Sequence, residues 1–486
     1  MPLSWLNAGI LAWFLLGAAL SAKARRGMGR GVIDYFLANR TVGGFVSAMS
    51  YSATTYSAFM MVGLVGLTYK GGIASLGFEL TYLLGTVVLL VLFAPRYWLA
   101  GRRYGLMTPS ELLSTRYGSK WVGAVASLLC LVTLVPYASV QLMGMGYLLE
   151  GVSGGAFPFW AGMAVAAAIT VVFSIWAGLR SVALTDALQA SIMLVACCIL
   201  VAFIGTSFFP GGWGNAFSAR PELLKVTWPF PMFLGLTLPW TFFALTNPQV
   251  VQRLYAPKDI RSIRGMVAGF SVFGFIYTVL CVLLGLSAAL LVPGLENPDG
   301  AMAALLTKVP RGLALLVVLS IFAAAVSTLN SIILTLSSMF GRDLVRALTP
   351  LSEEKELVWG KLLIPVLTLA CYAFASLKLG LIAVLSSMAS AGLMAQLPVI
   401  LGAFFWKRGT AAGAILGMAS GAVLTGALYM TKTNFLGQWP PVWGLLTSVS
   451  VFVAVSLMTR PNPSGADFID TVESEVKRTF WPARES

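Results

Sequence analysis

Histidine is absent from the sequence, and charged residues are scarce. None of the 486 residues is histidine, and Asp, Glu, Lys and Arg together make up 10% of the chain, against about 25% in soluble domains. The absence of histidine excludes a His-ligated metal, a histidine general base and a Ser-His-Asp triad. The scarcity of charge excludes a water-soluble globular domain. Because the apolar stretches also hold no acid pair and no nucleophile with a base, neither an enzyme nor an organic cofactor is expected.

Cysteine is scarce as well, and its positions argue against disulfides. The five cysteines, Cys130, Cys197, Cys198, Cys281 and Cys371, all lie in apolar stretches. A free thiol in such surroundings behaves as a small buried hydrophobic group. The pattern therefore predicts no disulfide framework.

Long apolar stretches dominate the chain, which is 58% hydrophobic with a mean hydropathy of +0.86. A membrane core of about 30 Å is crossed by about 20 apolar residues in a helix. The first such run starts at Leu3 and precedes its basic residues, which is the reverse of a cleaved signal peptide, so we expect a retained helix. The thirteen predicted helices are 3–22, 43–69, 71–95, 121–149, 157–178, 182–208, 229–249, 265–292, 312–340, 358–377, 380–405, 411–430 and 441–459. The sequence thus predicts an all-α, multi-pass protein of the inner membrane, surrounded by a lipid bilayer.

The basic residues indicate the orientation of these helices. The chain has 32 Lys and Arg and a net charge of +14. With the N-terminus outside, the inner loops hold 25 basic residues and the outer loops hold 7. Such an excess is typical of cytoplasmic loops, so the N-terminus is predicted outside and the C-terminus inside. Because the basic residues are spread over loops and do not form one surface, nucleic acid is not an expected partner.

Two predicted helices are interrupted by polar residues and prolines. The second has a run of hydroxyl side chains between Ser50 and Ser57, and the seventh has four prolines between Pro229 and Pro248. Backbone groups freed at membrane depth must be satisfied by protein, water or a ligand. The interrupted helices begin two blocks of five helices, 43–208 and 229–405, which predicts an inverted repeat with a solute site between its halves. Proline kinks without any ligand are the alternative.

The ninth predicted helix has a stripe of small and hydroxyl residues. Ala324, Ser327, Thr328 and Ser331 share one helical face, because residues three and four apart are neighbours. Sodium is a hard cation that prefers oxygen ligands, and hydroxyls and unwound carbonyls supply them. Facing the interruption near Ala53 and Tyr56 in the second helix, the stripe would complete a five-oxygen shell around a sodium ion. Bonding of the hydroxyls to their own helix is the alternative.

Five stretches in a fixed order resemble the sodium:solute symporter family. They are Asp34 to Arg40, Gly178 to Gln189, Pro248 to Lys258, Ala324 to Leu329 and Phe405 to Ala414. The resemblance extends from about Asp34 to Gly421. It implies a LeuT-type fold of two inverted five-helix repeats, with one helix before and two after. It also implies that residues 1–459 form a single transporter domain with 460–486 as a short cytoplasmic tail, and that the protein imports a small solute together with sodium.

The resemblance implies a set of sodium ligands, which are the carbonyl oxygens of Ala53, Tyr56 and Ala324 and the hydroxyls of Ser327 and Thr328. This set agrees with the stripe described above, and the resemblance implies further site residues. Some family members carry a second sodium site, and the positions that match it are Asp186, Ser327, Asn330 and Ser331. Asn330 departs from the hydroxyl of the two-sodium pattern, although an amide oxygen also ligates sodium. Independently of the family, Asp186 could simply be a favourable charge at a helix N-terminus.

Polar and aromatic residues in the spans are candidates for solute binding. Glu79 is an intramembrane carboxylate, which indicates substrate contact or proton transfer; facing the outer vestibule is the alternative. Gln141 lies mid-span, where an interhelical hydrogen bond is the alternative. The predicted solute-binding residues are Thr55, Ser57, Glu79, Gln141, Trp240 and Phe243.

The sequence narrows the solute without identifying it. No Lys or Arg lies in a predicted membrane centre, so a solute with one negative charge is plausible and one with two is not. Thr55 stands where the sodium/proline symporters have an aspartate, which argues against an amino group there. The sequence therefore favours a small monocarboxylate, pantothenate-like or short-chain, with amino acids next. Proton coupling through Glu79 or Asp186 and a sensor that works with a separate partner are further alternatives. The expected assembly is a monomer or a loose homodimer.

Overall fold

The structure is a computed structural model that describes residues 1–25, 31–350 and 352–480. Within these ranges the chain forms helices and no strand. The α-helices are α1 Leu3–Arg25, α2 Val32–Leu37, α3 Gly44–Thr55, α4 Val65–Gly71, α5 Ala74–Tyr104, α6 Pro109–Tyr117, α7 Lys120–Ser153, α8 Phe159–Phe208, α9 Gly212–Ser218, α10 Phe230–Thr241, α11 Phe243–Thr246, α12 Pro248–Arg253, α13 Ile260–Leu291, α14 Ala301–Leu306, α15 Arg311–Met339, α16 Arg346–Leu348, α17 Glu353–Ser376, α18 Ile382–Leu393, α19 Leu397–Phe405, α20 Ala411–Met430, α21 Pro440–Met458 and α22 Pro463–Phe480.

Short tighter or wider turns join several of these helices. The 3-10 segments are Ala38–Arg40, Pro221–Leu224, Pro298–Gly300, Met394–Gln396 and Phe435–Gly437. The π-helical segments are Phe59–Leu64, which leads into α4, and Phe340–Val345, which continues α15. Wide turns of the π type occur frequently at functional sites. The first of the two lies directly after the interruption that the sequence predicts in the second helix.

Eleven helical spans in the described ranges are long and apolar enough to cross a membrane. Each coincides with a predicted helix. The two interrupted segments are not among the eleven, because α3 with α4 and α10 with α12 are separate short helices. The prediction of thirteen spans counts these two broken segments as well and stays a prediction.

Several helix ends differ from the prediction. Helix α5 continues to Tyr104, nine residues beyond the predicted end at 95, and α13 begins at Ile260, five residues before the predicted start at 265. The prediction ended helices at charged residues. In the structure Arg102 and Arg103 occupy the last turn of α5, where positive charge is stabilised by the helix dipole. Two predicted helices, 157–178 and 182–208, form the single element α8, which bends at Gly178 with φ 57°.

Helix α15 lies at the centre of the protein. In its span, 72% of the residues are buried inside the protein, against 22% in the first span, α1. Helix α15 packs against α8, α7 and α3. The stripe predicted to bind sodium therefore lies on a largely enclosed helix and faces other helices, not lipid.

A short backbone pairing connects the segments next to the two broken helices. The amide of Val42, just before α3, donates to the carbonyl of Ala256 at 3.2 Å, and the amide of Lys258 donates back to Val42 at 3.0 Å. Both segments are predicted to be cytoplasmic. The pairing holds the start of the first broken segment beside the end of the second.

The tail beyond α21 forms helix α22, which is amphipathic. Phe468, Ile469, Val472, Val476 and Phe480 are buried on one face. The ring of Phe468 stacks on Tyr104 of α5 at 4.9 Å between centroids. The polar side is anchored as well, because Arg96 pairs with Glu473 at 2.7 Å and Lys407 pairs with Asp470 at 2.7 Å. Helix α22 thereby connects α5 with the end of α19.

The predicted orientation is tested by labelling single cysteines from outside intact cells. We expect a cysteine at Asn297, in an exposed loop, to react with a membrane-impermeant maleimide. A cysteine at Ser464, exposed at the start of α22, should not react. Cys198, the one exposed native cysteine among the described residues, is first replaced by serine. External reactivity at 464 but not at 297 would overturn the orientation derived from the basic residues.

Candidate functional site: a break between two helices

Both interrupted segments are broken in the structure. Helix α3 ends at Thr55, and Tyr56 is extended with φ −94° and ψ 92°. In the second segment Asn247 is extended with φ −91° and ψ 110°, between α11 and α12. The prolines and hydroxyls in these segments account for the breaks, because proline removes a backbone donor and hydroxyls offer the backbone alternative partners. The two breaks expose main-chain groups inside the protein.

The first break meets the polar stripe of α15. The carbonyl oxygen of Ala53 accepts hydrogen bonds from the hydroxyls of Ser327 at 3.2 Å and Thr328 at 3.0 Å. The hydroxyl of Ser327 also lies 3.0 Å from the carbonyl oxygen of Ala324. Four of the five predicted sodium ligands therefore converge in one buried cluster, although they come from positions about 270 residues apart.

The fifth predicted ligand, Tyr56, follows the end of α3 directly. Its amide donates to the carbonyl of Ser52 at 2.7 Å. Its ring is fully buried and stacks on Phe270 of α13 at 5.6 Å between centroids. The ring thus fixes the extended residue at the point where the chain leaves α3.

Asp186 lies in a second polar cluster, which meets α3 at Ser50, about one turn before Ala53. It is completely buried and accepts a hydrogen bond from Ser50 at 2.8 Å. The guanidinium of Arg253 lies 3.5 Å from the Asp186 carboxylate and also donates to the hydroxyl of Ser331. The Ser331 hydroxyl in turn lies 3.2 Å from that of Thr54. A fixed positive charge therefore sits between two of the residues predicted for a second sodium ion.

Arg253 is one site residue that was not predicted. The predicted helix 229–249 ends before it, whereas the structure places it in the last turn of α12 with 4% of its surface exposed. The sequence did indicate that such a partner exists, because a carboxylate buried in the membrane, such as that of Asp186, requires one. The partner could not be identified from the sequence because it is 67 positions away.

The carboxamide oxygen of Asn330, a predicted ligand of a second sodium ion, has its hydrogen-bond partner outside the Asp186 cluster. That oxygen accepts from the hydroxyl of Ser174 on α8 at 3.2 Å. The structure thus brings Asp186 and Ser331 together through Arg253 and gives the Asn330 oxygen another partner. A second sodium ion at Asp186, Asn330 and Ser331 stays a prediction.

Two of the predicted solute-binding residues stabilise the first break. The side-chain oxygen of Gln141 accepts from the amide of Ala58 at 3.2 Å, and the hydroxyl of Ser57 accepts from the amide of Phe59 at 3.1 Å. These amides stand at the start of the next helical segment, Phe59–Leu64, where backbone N–H groups have no partner within the helix. Thr55, the last residue of α3, is buried, and its hydroxyl has no partner among the described residues.

Trp240 and Phe243 of the second broken segment form a stacked pair beside the first. Their ring centroids are 5.2 Å apart with an interplanar angle of 8°. Phe59 stacks on Trp240 from the other broken segment at 4.9 Å, and the indole nitrogen of Trp240 donates to Ser387 of α18 at 2.8 Å. The two rings are thus held between both broken segments.

Two tyrosines complete this aromatic group and were not predicted. Tyr82 packs edge-on against Trp240 at 5.4 Å, and Tyr137 lies 6.1 Å from Phe243. Their positions were detectable, because Tyr82 is three residues after Glu79 and Tyr137 is four before Gln141, on the same helical faces. We call Tyr56, Tyr82, Tyr137, Trp240 and Phe243 the aromatic cage.

Glu79 lies beside the aromatic cage and is 1% exposed. Neither carboxylate oxygen has a hydrogen-bond partner among the described residues. The carboxylate is within electrostatic range of the phenol groups of Tyr56, Tyr82 and Tyr137. The structure therefore places Glu79 near the tyrosines of the aromatic cage.

Comparison with known proteins identifies the family. The family model described as the sodium:solute symporter family matches residues 35–421. The chain belongs to the sodium:solute symporter family. The sodium/pantothenate symporter of Escherichia coli strain K12 is 29% identical over 458 residues, covering 90% of this chain and 93% of the relative. The sodium/proline symporter of Haemophilus influenzae is 25% identical over 475 residues, covering 91% and 92%.

Solved transporter structures share the fold of this symporter family member. A Na+-coupled sialic acid symporter in a substrate-bound outward-open state superposes with a TM-score of 0.80 at 20% identity, covering 94% of this chain and 98% of the other. Mhp1, a nucleobase-cation-symport-1 family transporter, gives 0.57 at 14% identity in a closed conformation, covering 90% and 98%. The predicted LeuT-type fold is thereby confirmed. The protein is an integral, multi-pass membrane transporter and not an enzyme.

Proposed function

We propose that the protein imports a small organic solute into the cell by coupling it to sodium at the break after α3. The observation that supports this most directly is the convergence of Ser327 and Thr328 on the Ala53 carbonyl. These oxygens are uncharged, buried and drawn from two helices, a donor set that suits a sodium ion inside a membrane.

Binding of sodium requires only a small rearrangement of this cluster. A hydroxyl has one donor and two acceptor lone pairs, and its hydrogen rotates to suit its partner. In the structure the hydroxyls of Ser327 and Thr328 donate to the Ala53 carbonyl. When the O–H bonds rotate away, all three oxygens present lone pairs to a cation. Sodium would then replace the hydrogen bonds that hold α3 to α15.

The Glu79 carboxylate bears on which solute is transported. The sequence favours a small monocarboxylate, pantothenate-like or short-chain. A plain anion next to the buried Glu79 carboxylate would place two negative charges together, which is unfavourable. A zwitterion avoids this conflict, because its positive group can face Glu79 while its carboxylate faces the sodium ion. Of the two candidates, the structure therefore favours the amino-acid-like zwitterion.

Proton coupling would be distinguished by replacing the ion. Transport that persists at fixed pH after sodium is replaced by potassium would favour a proton carried by Glu79 or Asp186. Transport that ceases supports the sodium site. A second sodium ion would have to share Asp186 and Ser331 with Arg253, so a single coupled sodium ion is the simpler expectation.

Sodium and solute should each favour binding of the other. The sodium ion supplies positive charge for the solute carboxylate, and its binding orders the broken helix that the solute contacts. Couplings of this kind are typically about 1 to 3 kcal/mol, so solute affinity should rise at least about fivefold from sodium-free to sodium-saturated conditions. A thermal-shift screen of pantothenate, proline and short-chain carboxylates supplies the solute, and calorimetry measures both directions.

Reciprocity provides the control for this measurement. The same solute should raise the affinity for sodium by the same factor. Potassium at equal ionic strength should leave the solute affinity at its sodium-free value. Equal solute affinity with and without sodium would show that the coupling is wrong, even though the fold is established.

A further inference from the structure

A groove of about 720 Å³ runs along the outer surface of the protein between α3 and α13. It extends from Lys258, just before α13, to Phe273, and Leu194 of α8 lies at its side. Its volume lies within the range of about 300 to 1,000 Å³ that is usual for small-molecule sites. We call it the α3–α13 groove. It shares no lining residue with the predicted sodium ligands or with the aromatic cage.

The walls of the groove are apolar, and its floor lies where α3 and α13 approach closely. A Cβ atom on Gly269 would come within 2.7 Å of the Cβ of Ala48, so only small side chains lie beneath the groove. The large side chains of Phe45 and Val272 line it as well and are exposed. In a chain that spans the membrane, exposed apolar side chains of this kind face lipid.

One end of the α3–α13 groove is basic. Lys258 and Arg261 line this end and are exposed, and neither takes part in an ion pair of the described residues. Asp259 lies between them, but its carboxylate already accepts from the amide and the hydroxyl of Ser262 at 2.8 and 2.7 Å. A phosphate group at this end would therefore meet two cationic side chains that can donate to it.

A second groove on the outer surface provides a contrast. It has a volume of about 350 Å³ and runs between α1 and α8, where Ile10 and Val172 line it. None of the described residues in its lining is charged. Positive charge at one end therefore distinguishes the α3–α13 groove from an ordinary gap between helices that face lipid.

The length of the α3–α13 groove matches one leaflet of a membrane. From Arg261 to Phe273 helix α13 rises about 18 Å, at about 1.5 Å per residue. Half of a hydrocarbon core of about 30 Å is about 15 Å. A lipid with its headgroup at the basic end would therefore lay an acyl chain along the apolar part of the groove as far as Phe273. A soluble anion would use the basic end alone.

The groove adjoins the first broken segment at both of its ends. Phe273 stacks on Tyr56, the extended residue at which α3 ends, at 5.8 Å between ring centroids. At the basic end, the amide of Lys258 donates to the carbonyl of Val42, just before α3 begins, at 3.0 Å. A lipid in the groove would thus lie against the contact between α3 and α13 along its whole length.

We propose that the α3–α13 groove binds an anionic phospholipid from the leaflet on the predicted cytoplasmic side. Its headgroup phosphate lies between Lys258 and Arg261, and an acyl chain follows α13 to Phe273. Basic sites between membrane helices on the cytoplasmic side are suited to such headgroups. A second copy of this chain fits the groove less well, because it carries a net charge of +14 and a two-fold contact would bring the same basic residues together. The proposal goes beyond the proposed symport and does not depend on it.

The test is native mass spectrometry of the purified full-length protein, which counts bound lipids and detects dimers in the same spectrum. Palmitoyl-oleoyl phosphatidylglycerol and palmitoyl-oleoyl phosphatidylcholine, which have the same acyl chains, are titrated separately. We expect the first phosphatidylglycerol to bind at least about tenfold more tightly than phosphatidylcholine, since two basic residues favour the anionic headgroup. Equal affinity for the two lipids would overturn the proposal.

Glycerol 3-phosphate distinguishes a lipid site from a site for a soluble anion. It carries the phosphate chemistry of the headgroup without the acyl chains. At about tenfold molar excess over phosphatidylglycerol it should displace none of the bound lipid, because it gains nothing from the apolar part of the groove. Displacement at that excess would identify a site for a soluble phosphate and would overturn the lipid.

A charge variant locates the headgroup. Lys258→Gln combined with Arg261→Gln should weaken phosphatidylglycerol at least about tenfold and phosphatidylcholine less than about threefold. The matched control is Lys120→Gln combined with Lys355→Gln, which removes the same charge from exposed positions on the same predicted side. The control should change neither affinity. An equal loss of phosphatidylglycerol in both double variants would show that only the overall charge matters, which would contradict the proposal.

A second variant fills the groove and leaves every basic residue in place. Ala268 lines the groove and is exposed, so Ala268→Trp should fold and should weaken phosphatidylglycerol at least about tenfold by excluding the acyl chain. Val423→Trp, at an exposed position of α20, is its control and should leave the affinity unchanged.

The remaining outcomes of this variant each decide the proposal. Unchanged phosphatidylglycerol affinity in folded Ala268→Trp would show that surface charge alone holds the lipid, and the groove site would be wrong. A dimer of the unaltered protein that is lost in Ala268→Trp would identify a second copy as the occupant and would overturn the lipid. If the thermal midpoint shows that Ala268→Trp does not fold, the charge variant decides by itself.

Discussion

Neutralising Asp186 should lower the free energy of unfolding by about 3 to 5 kcal/mol, the usual cost of removing one partner of a buried ion pair. The substitution Asp186→Asn keeps the volume and the hydrogen bond from Ser50 but leaves Arg253 buried with an uncompensated charge. Arg253 has 4% of its surface exposed and Asp186 has none, so water cannot replace the lost partner. The measurement is chemical unfolding in detergent, with thermal midpoints as a ranking where unfolding is irreversible.

Two controls distinguish loss of the Asp186–Arg253 ion pair from non-specific destabilisation by a substitution. Glu222→Gln breaks the exposed pair between Arg220 and Glu222, whose side chains are 41% and 56% exposed, and should leave the free energy of unfolding nearly unchanged because water screens such a pair. The double substitution Asp186→Leu with Arg253→Met removes both charges and should recover most of the lost stability, since apolar replacements of buried pairs are often neutral. Equal stability of Asp186→Asn and the unaltered protein would contradict the structural role of the pair.

Removing either hydroxyl of the sodium site should raise the sodium requirement for transport at least about tenfold, equivalent to about 1.4 kcal/mol. Ser327→Ala and Thr328→Ala each leave a hard cation short of one oxygen ligand. The sodium concentration for half-maximal uptake is measured in proteoliposomes.

A serine of the same helix gives the matched control for these variants. Ser320 of α15 is equally buried, and its hydroxyl bonds to the carbonyl of Val317 at 2.8 Å. Because it lies two turns away from the site, Ser320→Ala should leave the sodium requirement unchanged. An unchanged requirement in both folded site variants would refute the assignment of the sodium ligands.

The long helices could be predicted from the sequence because membrane spans require long apolar runs. Both broken segments could also be predicted, since prolines and hydroxyls at membrane depth are unusual there. The end of α5 and the start of α13 could not. Helix α5 continues beyond its apolar stretch because basic residues in its last turn are stabilised by the helix dipole, and α13 begins earlier because Asp259 caps its first turn by accepting from the Ser262 amide. The apolar pattern predicts two separate helices around Gly178. In the structure they form the single element α8, which bends at Gly178.

The sodium cluster could be predicted from the sequence because its side chains lie at helical spacing on α15. The family resemblance supplied the facing residues of α3. The partner of Asp186 could not be predicted in this way. Arg253 follows an apolar helix, as loop residues also do, and only the three-dimensional arrangement of α12 beside α15 buries it. The aromatic cage as a group was not predicted either, because aromatic side chains in apolar helices are usually core residues.

Helix α22 has a consequence for the motion that transport requires. It contacts α5 and α6, which belong to the first predicted repeat, and α19, which belongs to the second. If the two repeats rotate against each other, α22 must either move with one of them or release Phe468 and the ion pairs of Glu473 and Asp470. The tail therefore links the two predicted repeats. If they rotate, we expect the opening rate to depend partly on this segment, whose contacts lie with α5, α6 and α19.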